Sequence, residues 1–365
     1  MKKITYGQVG DNYDTKDPIK KLAQAAARQT IIKNDSTFKE ITDTRGESAF
    51  VWQQGNILMA SVVEGLGTKN LVADEMRKIT GKTYYDIIGY DTVATIINDL
   101  ITVGAKPRVV HAYWAIEDNN WLKDKQRMTD FINGWRNACK ISMATWGGGE
   151  TPTLKGVIEK ETVDLGGSAI GIINNKKHLI TDKKLIEGDR IILLKSNGIN
   201  CNGLSLARAI ARKLKNGYAE KLPSGKLYGE ALLAKTNIYA KLIHDLLISN
   251  IDIHYISNIT GHGLRKIMRA RGNFTYVIEK LLNPQEVFLF IQKHAGLSDD
   301  EIYQTLNMGQ DYAIFINPKD VKKAQTIIKK NKFESVDAGF IKTGPRQVII
   351  KPKNIIFKSE TLDLR

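Results

Sequence analysis

The chain has 365 residues, 42% apolar and 25% charged, with 54 Lys and Arg against 39 Asp and Glu for a net charge of +15. These values exclude a disordered chain, which is poorer in apolar residues, and the length favours two domains over one core. No apolar run reaches a membrane span, MKKITYGQVGDNYDTKDP lacks a signal core, and Cys139 and Cys201 offer neither a disulfide framework nor a metal spacing, so a soluble, unexported, cytoplasmic protein is expected.

In chain order, Asp17 followed by Pro18 predicts a helix start, continued by LAQAAARQTI. Residues 34–48 read as a loop. AFVWQ and NILMASVV flank Gln54-Gly55 and predict a hairpin whose second strand runs into EGLGTK. Helices are expected over 69–78 and 84–103, a strand over 108–116, a helix over 121–140, a strand running into GGGE at 147–150, and a further strand over 161–174. Polar, lysine-rich residues 175–188 read as the interdomain connection. A second unit begins with strand 190–195 and loop SNGINCNG, followed by helices near 204–215 and 230–249. Strand 251–259 leads to TGHG, which is expected to open another helix. YAIFI, a lysine-rich helix, SVDAGFI and QVIIKP complete a βαβ-like pattern. Both halves therefore read as mixed α/β.

The positive charge favours anionic partners, either phosphorylated metabolites or nucleic acid. The densest basic segment, KDVKKAQTIIKKNKF at 319–333, spaces its lysines around Val321, Ala324, Ile327 and Ile328 as the wet face of an amphipathic helix. Without a zinc-finger spacing, an RNP-type aromatic motif or a basic arm, a nucleic-acid partner is not expected.

Chemistry-bearing residues recur at strand and helix ends. In SVVEGLGTKN, Glu64 precedes Gly65, Gly67, Thr68 and Lys69. This matches neither the P-loop nor the dinucleotide fingerprint, yet it has the glycines and the cation that a phosphate site needs. Further glycine loops lie at 147–149, 197–203 and 260–263. On helix 84–103, Asp91, Thr95, Asn98, Asp99 and Thr102 form one polar stripe. A surface helix turns such a stripe to water, but apolar residues cover too much of this circumference, which favours a polar cavity. Carboxylates facing a cavity suit magnesium, which commonly joins one or two of them to nucleotide phosphates.

Together these segments resemble the aminoimidazole ribonucleotide (AIR) synthetase superfamily. EGLGTK is similar to its DGxGTK loop, DTVATIINDLITVGAKP to DxxAMxVNDLxxxGAxP, and GGGETPTLKG to GGETAExPG. SNGINCNGLSLAR resembles SSGxHSNGxSLxR, NITGHG resembles HxTGGG, and LNMGQD resembles FNMGxG. The motifs run in family order from about residue 5 to residue 350. Within the superfamily the cyclo-ligase family fits best, in length and in its YGQVGDNYDTKDP opening. Selenophosphate synthetases carry an early reactive Cys, hydrogenase-maturation relatives end in an acceptor Cys, and the amidotransferase relatives are much longer.

The resemblance implies an AIR-synthase-like two-domain α/β fold with mixed sheets. Residues 1–174 would form an ATP-binding domain that dimerises into a β-barrel, and 175–365 a C-terminal α/β domain supplying substrate loops. It implies ATP-dependent cyclisation of formylglycinamidine ribonucleotide, with ATP and Mg2+ as cofactors and a homodimer as the assembly. Lys69, Asp91, Glu64 and Glu150 would be catalytic, with Glu64 and Asp91 on magnesium. Gly65, Gly67, Thr68, Lys69, Asn98, Asp99, Gly148 and Gly149 would bind ATP. Ser196, Gly198, Asn200, Asn202, Gly203, Thr260, Gly261 and His262 would bind substrate. The chain departs from the pattern at Glu64 (usually Asp), Asn200 (His), His262 (Gly), Asn258 (His) and Gln310-Asp311. His262 is the candidate to compensate for the missing histidine, and His254 is expected to be structural. A related ATP-dependent enzyme acting on another amide or acid, and a catalytically impaired nucleotide-binding relative, are the competing readings.

Overall fold

A computed structural model describes residues 3–4, 7 and 13–362, so most of the YGQVGDN opening and the last three residues lie outside the described part. Helix α1 (Tyr13–Arg28) begins a turn before the expected Asp17 start and carries Pro18 inside it. There the proline ring forgoes the bond to the Asp14 carbonyl, in a helix whose Ile19 and Leu22 are exposed.

The first unit is a six-stranded sheet with helices on one face. Its strands are β1 (Phe38–Glu40), β2 (Phe50–Gln54), β3 (Ile57–Gly65), β4 (Lys106–Ile116), β5 (Thr145–Glu150) and β6 (Val163–Ile173), in the order β1-β2-β3-β6-β4-β5. The predicted hairpin is present: Gln54 pairs with Ile57 across Gly55-Asn56, and Gly55 has the left-handed φ of 56° that such a turn favours. All pairings are antiparallel except β4 with β5. Along β6 every second residue is buried, as the alternation predicts.

Helices α2 (Lys69–Thr80), α3 (Tyr85–Leu100) and α4 (Lys125–Ile141) follow in chain order, with α3 against β3 and β6. The segments α3 and α4 cross where Gly89 meets Gly134. A Cβ on Gly134 would lie 2.0 Å from the Asp86 carbonyl oxygen, and one on Gly89 2.3 Å from that of Phe131. Trp114, Phe131, Trp135 and Trp146 pack edge-on or tilted beside the crossing, at centroid distances of 4.7–6.2 Å. Gly134→Ala is expected to force the helices apart and lower stability by about 3 kcal/mol, at the upper end of overpacking costs. Urea unfolding against the parent checks it.

The second unit holds strands β7 (Arg190–Lys195), β8 (Ile253–Asn258), β9 (Phe274–Ile278), β10 (Gln310–Ile316), β11 (Ser335–Thr343), β12 (Gln347–Ile350) and β13 (Ile355–Lys358), in the order β13-β12-β9-β11-β7-β10-β8. Its helices are α5 (Leu204–Ala211), α6 (Tyr228–Leu232), α7 (Ala240–Ile248), α8 (Glu286–Ala295), α9 (Asp299–Tyr303) and α10 (Val321–Lys330). The βαβ-like reading appears in split form: α10 joins β10 to β11, and β7 lies antiparallel between them.

Two expectations give way to tertiary bonding. The helix expected near 230–249 is broken between α6 and α7, because residues 236–239 bond to the first unit instead: the Thr236 amide donates to Asp91 at 2.9 Å and the Tyr239 amide to Asn98 at 3.1 Å. TGHG opens only a 3-10 stretch, Gly263–Met268, whose preceding residue His262 has a left-handed φ of 71°.

Candidate functional site

The polar stripe of α3 lies at the seam between the units. Asn98 donates to the Asn237 carbonyl at 2.7 Å and accepts from the Tyr239 amide, and its own carbonyl accepts from the Tyr312 hydroxyl. Asp99 accepts from Asn258 at 2.7 Å. Thr95 and Thr102 bond locally to the carbonyls of Thr92 and Asp99. The stripe is thus partly a docking strip for the second unit and partly the wall of a cavity.

That cavity has a volume of about 480 Å³ and draws its wall from both units. Strand β3 ends at Gly65, Leu66 is buried, and Gly67, with a φ of 72°, turns the chain so that Thr68 precedes α2. Glu64, Gly65, Gly67, Thr68, Asn98 and Asp99 line one side; Asn200, Asn202, Gly203, Thr260, Gly261 and His262 line the other. Lys20, Lys266 and Arg269 supply its positive charge.

Several expected site residues lie elsewhere. Lys69 and Asp91 are both fully buried and bonded to each other, and Lys69 also donates to the Ala234 carbonyl at 2.7 Å. Residue 69 opens α2 with its side chain turned inward, so the pair fastens α2, α3 and the 234–236 segment together and presents neither charge to the cavity. In this arrangement the pair stands apart from the cavity lining, where the resemblance implies a phosphate role for Lys69 and a magnesium role for Asp91. Gly148, Gly149 and Glu150 are exposed at the outer end of β5, beside β4, and do not line the cavity. Ser196 and Gly198 lie behind the wall: Ser196 is buried near Asn307, and the Gly198 carbonyl accepts from that residue's amide at 3.1 Å.

The strongest electrostatic coupling in the cavity centres on Glu64. Burial, then the neighbouring Asp99, pushes the Glu64 carboxyl well above its ordinary range, with Lys266 acting in the opposite direction. Lys266 is itself lowered, first by burial and then by Arg269, and it donates to the Thr260 hydroxyl. Two carboxylates and an ammonium therefore share one partly dry space. Burial, followed by Lys266 and Arg265, lowers His262 to about 2, and its Nε2 lies 3.5 Å from the Asp17 carboxylate. His254 is buried, with Nδ1 2.7 Å from Asp189 and Nε2 3.2 Å from Asp252.

Sequence reading missed the cavity residues Lys20, Lys266, Arg269 and Thr236. The available signal for two of them was position, since Lys266 and Arg269 directly follow the TGHG loop. Among the described residues no cluster of three or more His, Cys, Asp or Glu could hold a metal, and no helix is long and apolar enough to cross a membrane.

Comparison with known proteins identifies the family. Residues 46–173 match the model for the AIR synthase related protein N-terminal domain, and residues 187–351 match that for its C-terminal domain. A phosphoribosylformylglycinamidine cyclo-ligase of Methanothermobacter thermautotrophicus is 30% identical over 327 residues, 89% of this chain and 91% of that protein. One of Methanobrevibacter smithii is 31% identical over 330 residues, with the same shares. The solved structure of AaThiL complexed with AMPPCP and TMP shares the fold: it is 12% identical, with a TM-score of 0.62 over 93% of this chain and 94% of that one. The chain belongs to the AIR synthase related family and, within it, to the phosphoribosylformylglycinamidine cyclo-ligases.

Proposed function

We propose that this chain converts formylglycinamidine ribonucleotide and ATP to 5-aminoimidazole ribonucleotide, ADP and phosphate, in the cytoplasm and as a step of de novo purine synthesis. The observation that carries this reading is the single cavity in which the EGLGT, IIND, NCNG and TGHG segments converge from both units, in a chain aligned to cyclo-ligases over nine-tenths of its length. Residues 1–174 are the nucleotide-binding and dimerisation unit in this reading, and 175–365 the unit that supplies substrate loops.

The chemical obstacle is the formyl amide oxygen, a poor leaving group. Its phosphorylation lets it depart as phosphate when the amidine nitrogen closes the ring. Such a transfer depends on positioning and on neutralising phosphate charge. The amides of Gly65, Gly67 and Thr68, ahead of α2, suit phosphate oxygens. Lys20, Lys266 and Arg269 balance their charge, a role that Lys69 is too deeply engaged to take. Asn202, Gly203, Thr260 and Gly261 would hold the substrate. Glu64 and Asp99 fit a magnesium ion, being hard oxygen donors held beside each other against like-charge repulsion, and two carboxylates are the number this ion commonly takes alongside phosphates. When bound, the ion shields the transferring phosphoryl group.

An uncovered sheet face supports a homodimer in this reading. Val63 aligns with Ser168, and Ser61 with Ile170, on the side away from α3, and Val63 is 78% exposed, Ile57 50% and Tyr113 41%. A second copy seated on this face would also run beside Gly148, Gly149 and Glu150, and any nucleotide contact by those residues depends on it. Val63→Lys combined with Ile170→Lys is expected to give monomer in analytical ultracentrifugation, and an unchanged dimer would place the interface elsewhere.

The function is tested in a purine auxotroph that lacks its own cyclo-ligase. Expression of this chain is expected to restore growth without added purine. Absence of growth despite folded protein would count against the assignment.

A further inference from the structure

Two departures from the family pattern, Asn200 and Asp311, touch each other. Asn200 stands where the related loop carries His, and Asp311 where it ends in Gly. The Asn200 side-chain amide donates to Asp311 Oδ1, while the Tyr239 hydroxyl donates to Asp311 Oδ2 at 2.7 Å. Tyr239 in turn accepts from Asn237 at 3.1 Å. Both Asn200 and Asp311 line the cavity and are buried, at 8% and 2% exposure.

With its N–H turned to the carboxylate, Asn200 keeps Oδ1 buried and without a hydrogen-bond partner among the described residues. A buried acceptor without a partner, on a residue that lines the cavity, is a group that a ligand donor reaching this wall would satisfy. Of the cyclo-ligase substrate's groups, the amidine is a nitrogen donor and also the group that must lose a proton on ring closure.

We propose, resting on the cyclo-ligase reading, that Asn200 and Asp311 act as one unit at the amidine: Asn200 Oδ1 accepts an amidine N–H, and the Asp311 carboxylate accepts the proton that ring closure releases. In that step the amidine nitrogen forms its bond to the formyl carbon. The bond from that carbon to the phosphorylated oxygen breaks, its electron pair leaving with phosphate. The nitrogen's proton passes to Asp311 and then to solvent. Burial, opposed by the bonds from Tyr239 and Asn200, lifts this carboxyl to about 7, so it exchanges protons near neutral pH, as a histidine at position 200 could. The other titratable or charged groups around it are Asp91 with its partner Lys69, Cys201 and Tyr312.

Steady-state kinetics of five proteins test this: parent, Asp311→Asn, Asp311→Gly, Asn200→Ala and the double variant Asn200→His/Asp311→Gly. Asp311→Asn is expected to lower kcat about 100-fold or more while leaving the KM for ATP within threefold. It should also abolish the fall in kcat that is expected of the parent as pH drops below about 7. Asn200→Ala is expected to raise the KM for formylglycinamidine ribonucleotide about tenfold. The double variant should exceed Asp311→Gly alone, since it restores a histidine together with the space for it. Circular dichroism confirms folding, and Asn200→Ala keeps the test open if Asp311→Asn does not fold. Parent-like kcat and pH profile in Asp311→Asn, or an unchanged substrate KM in Asn200→Ala, would overturn the proposal alone. A parent that forms no aminoimidazole product would overturn it together with the functional reading.

Discussion

Lys69→Ala is expected to destabilise the fold by about 3–5 kcal/mol, the cost of leaving a buried charge without its partner. Asp91 would keep the Thr236 amide and the weak Cys201 thiol as donors, in a region from which water is excluded. The loss should register first where the units meet, since the same lysine also holds the Ala234 carbonyl. Lys69→Met combined with Asp91→Asn is expected to recover much of the stability, because it removes both charges and keeps an acceptor for Thr236. Urea unfolding of the three proteins measures this. Lys69→Ala with parent stability and a strongly raised KM for ATP would return Lys69 to the nucleotide site.

Asp99→Asn is expected to behave in the opposite way, with little change in stability and a kcat lowered by about 100- to 1,000-fold, the range for loss of one preorganised electrostatic group. Asparagine still accepts from Asn258, and removal of a negative charge relieves Glu64 of the neighbour that raises it. Glu64→Gln should match it in turnover. In both variants the magnesium concentration for half-maximal rate should rise about tenfold, because one of two hard donors is gone. Parent turnover in both would remove these carboxylates from the reaction.

The two variants separate what sequence made legible from what it hid. Glycines beside Glu64 and after Thr260 marked the cavity because strand-to-helix turns need them and phosphates approach them. Lys69 was adjacent along the chain, yet its place at the first turn of α2 sends the side chain into the interior, and spacing carries no direction. Lys266 and Arg269, which do face the cavity, are lost among 54 basic residues. In the fold, long periodic segments such as 84–103 and the hairpin at Gly55 read through directly. The break between α6 and α7 did not, because residues 234–239 have no local signal against a helix. Their backbone donors go instead to Asp91 and Asn98, about 140 residues away in sequence. β9, α8 and α9 were missed because the segment FTYVI is short and buried without alternation, and the helices after it carry no run of the expected length.

The most direct measurement is the stoichiometry of one reaction mixture: purified protein, magnesium, ATP and formylglycinamidine ribonucleotide, scored for ADP and for 5-aminoimidazole ribonucleotide. The expected result is one ADP for each aminoimidazole formed, with almost no ADP when the ribonucleotide is omitted. ADP released at the same rate with or without it, and no imidazole product, would contradict the account.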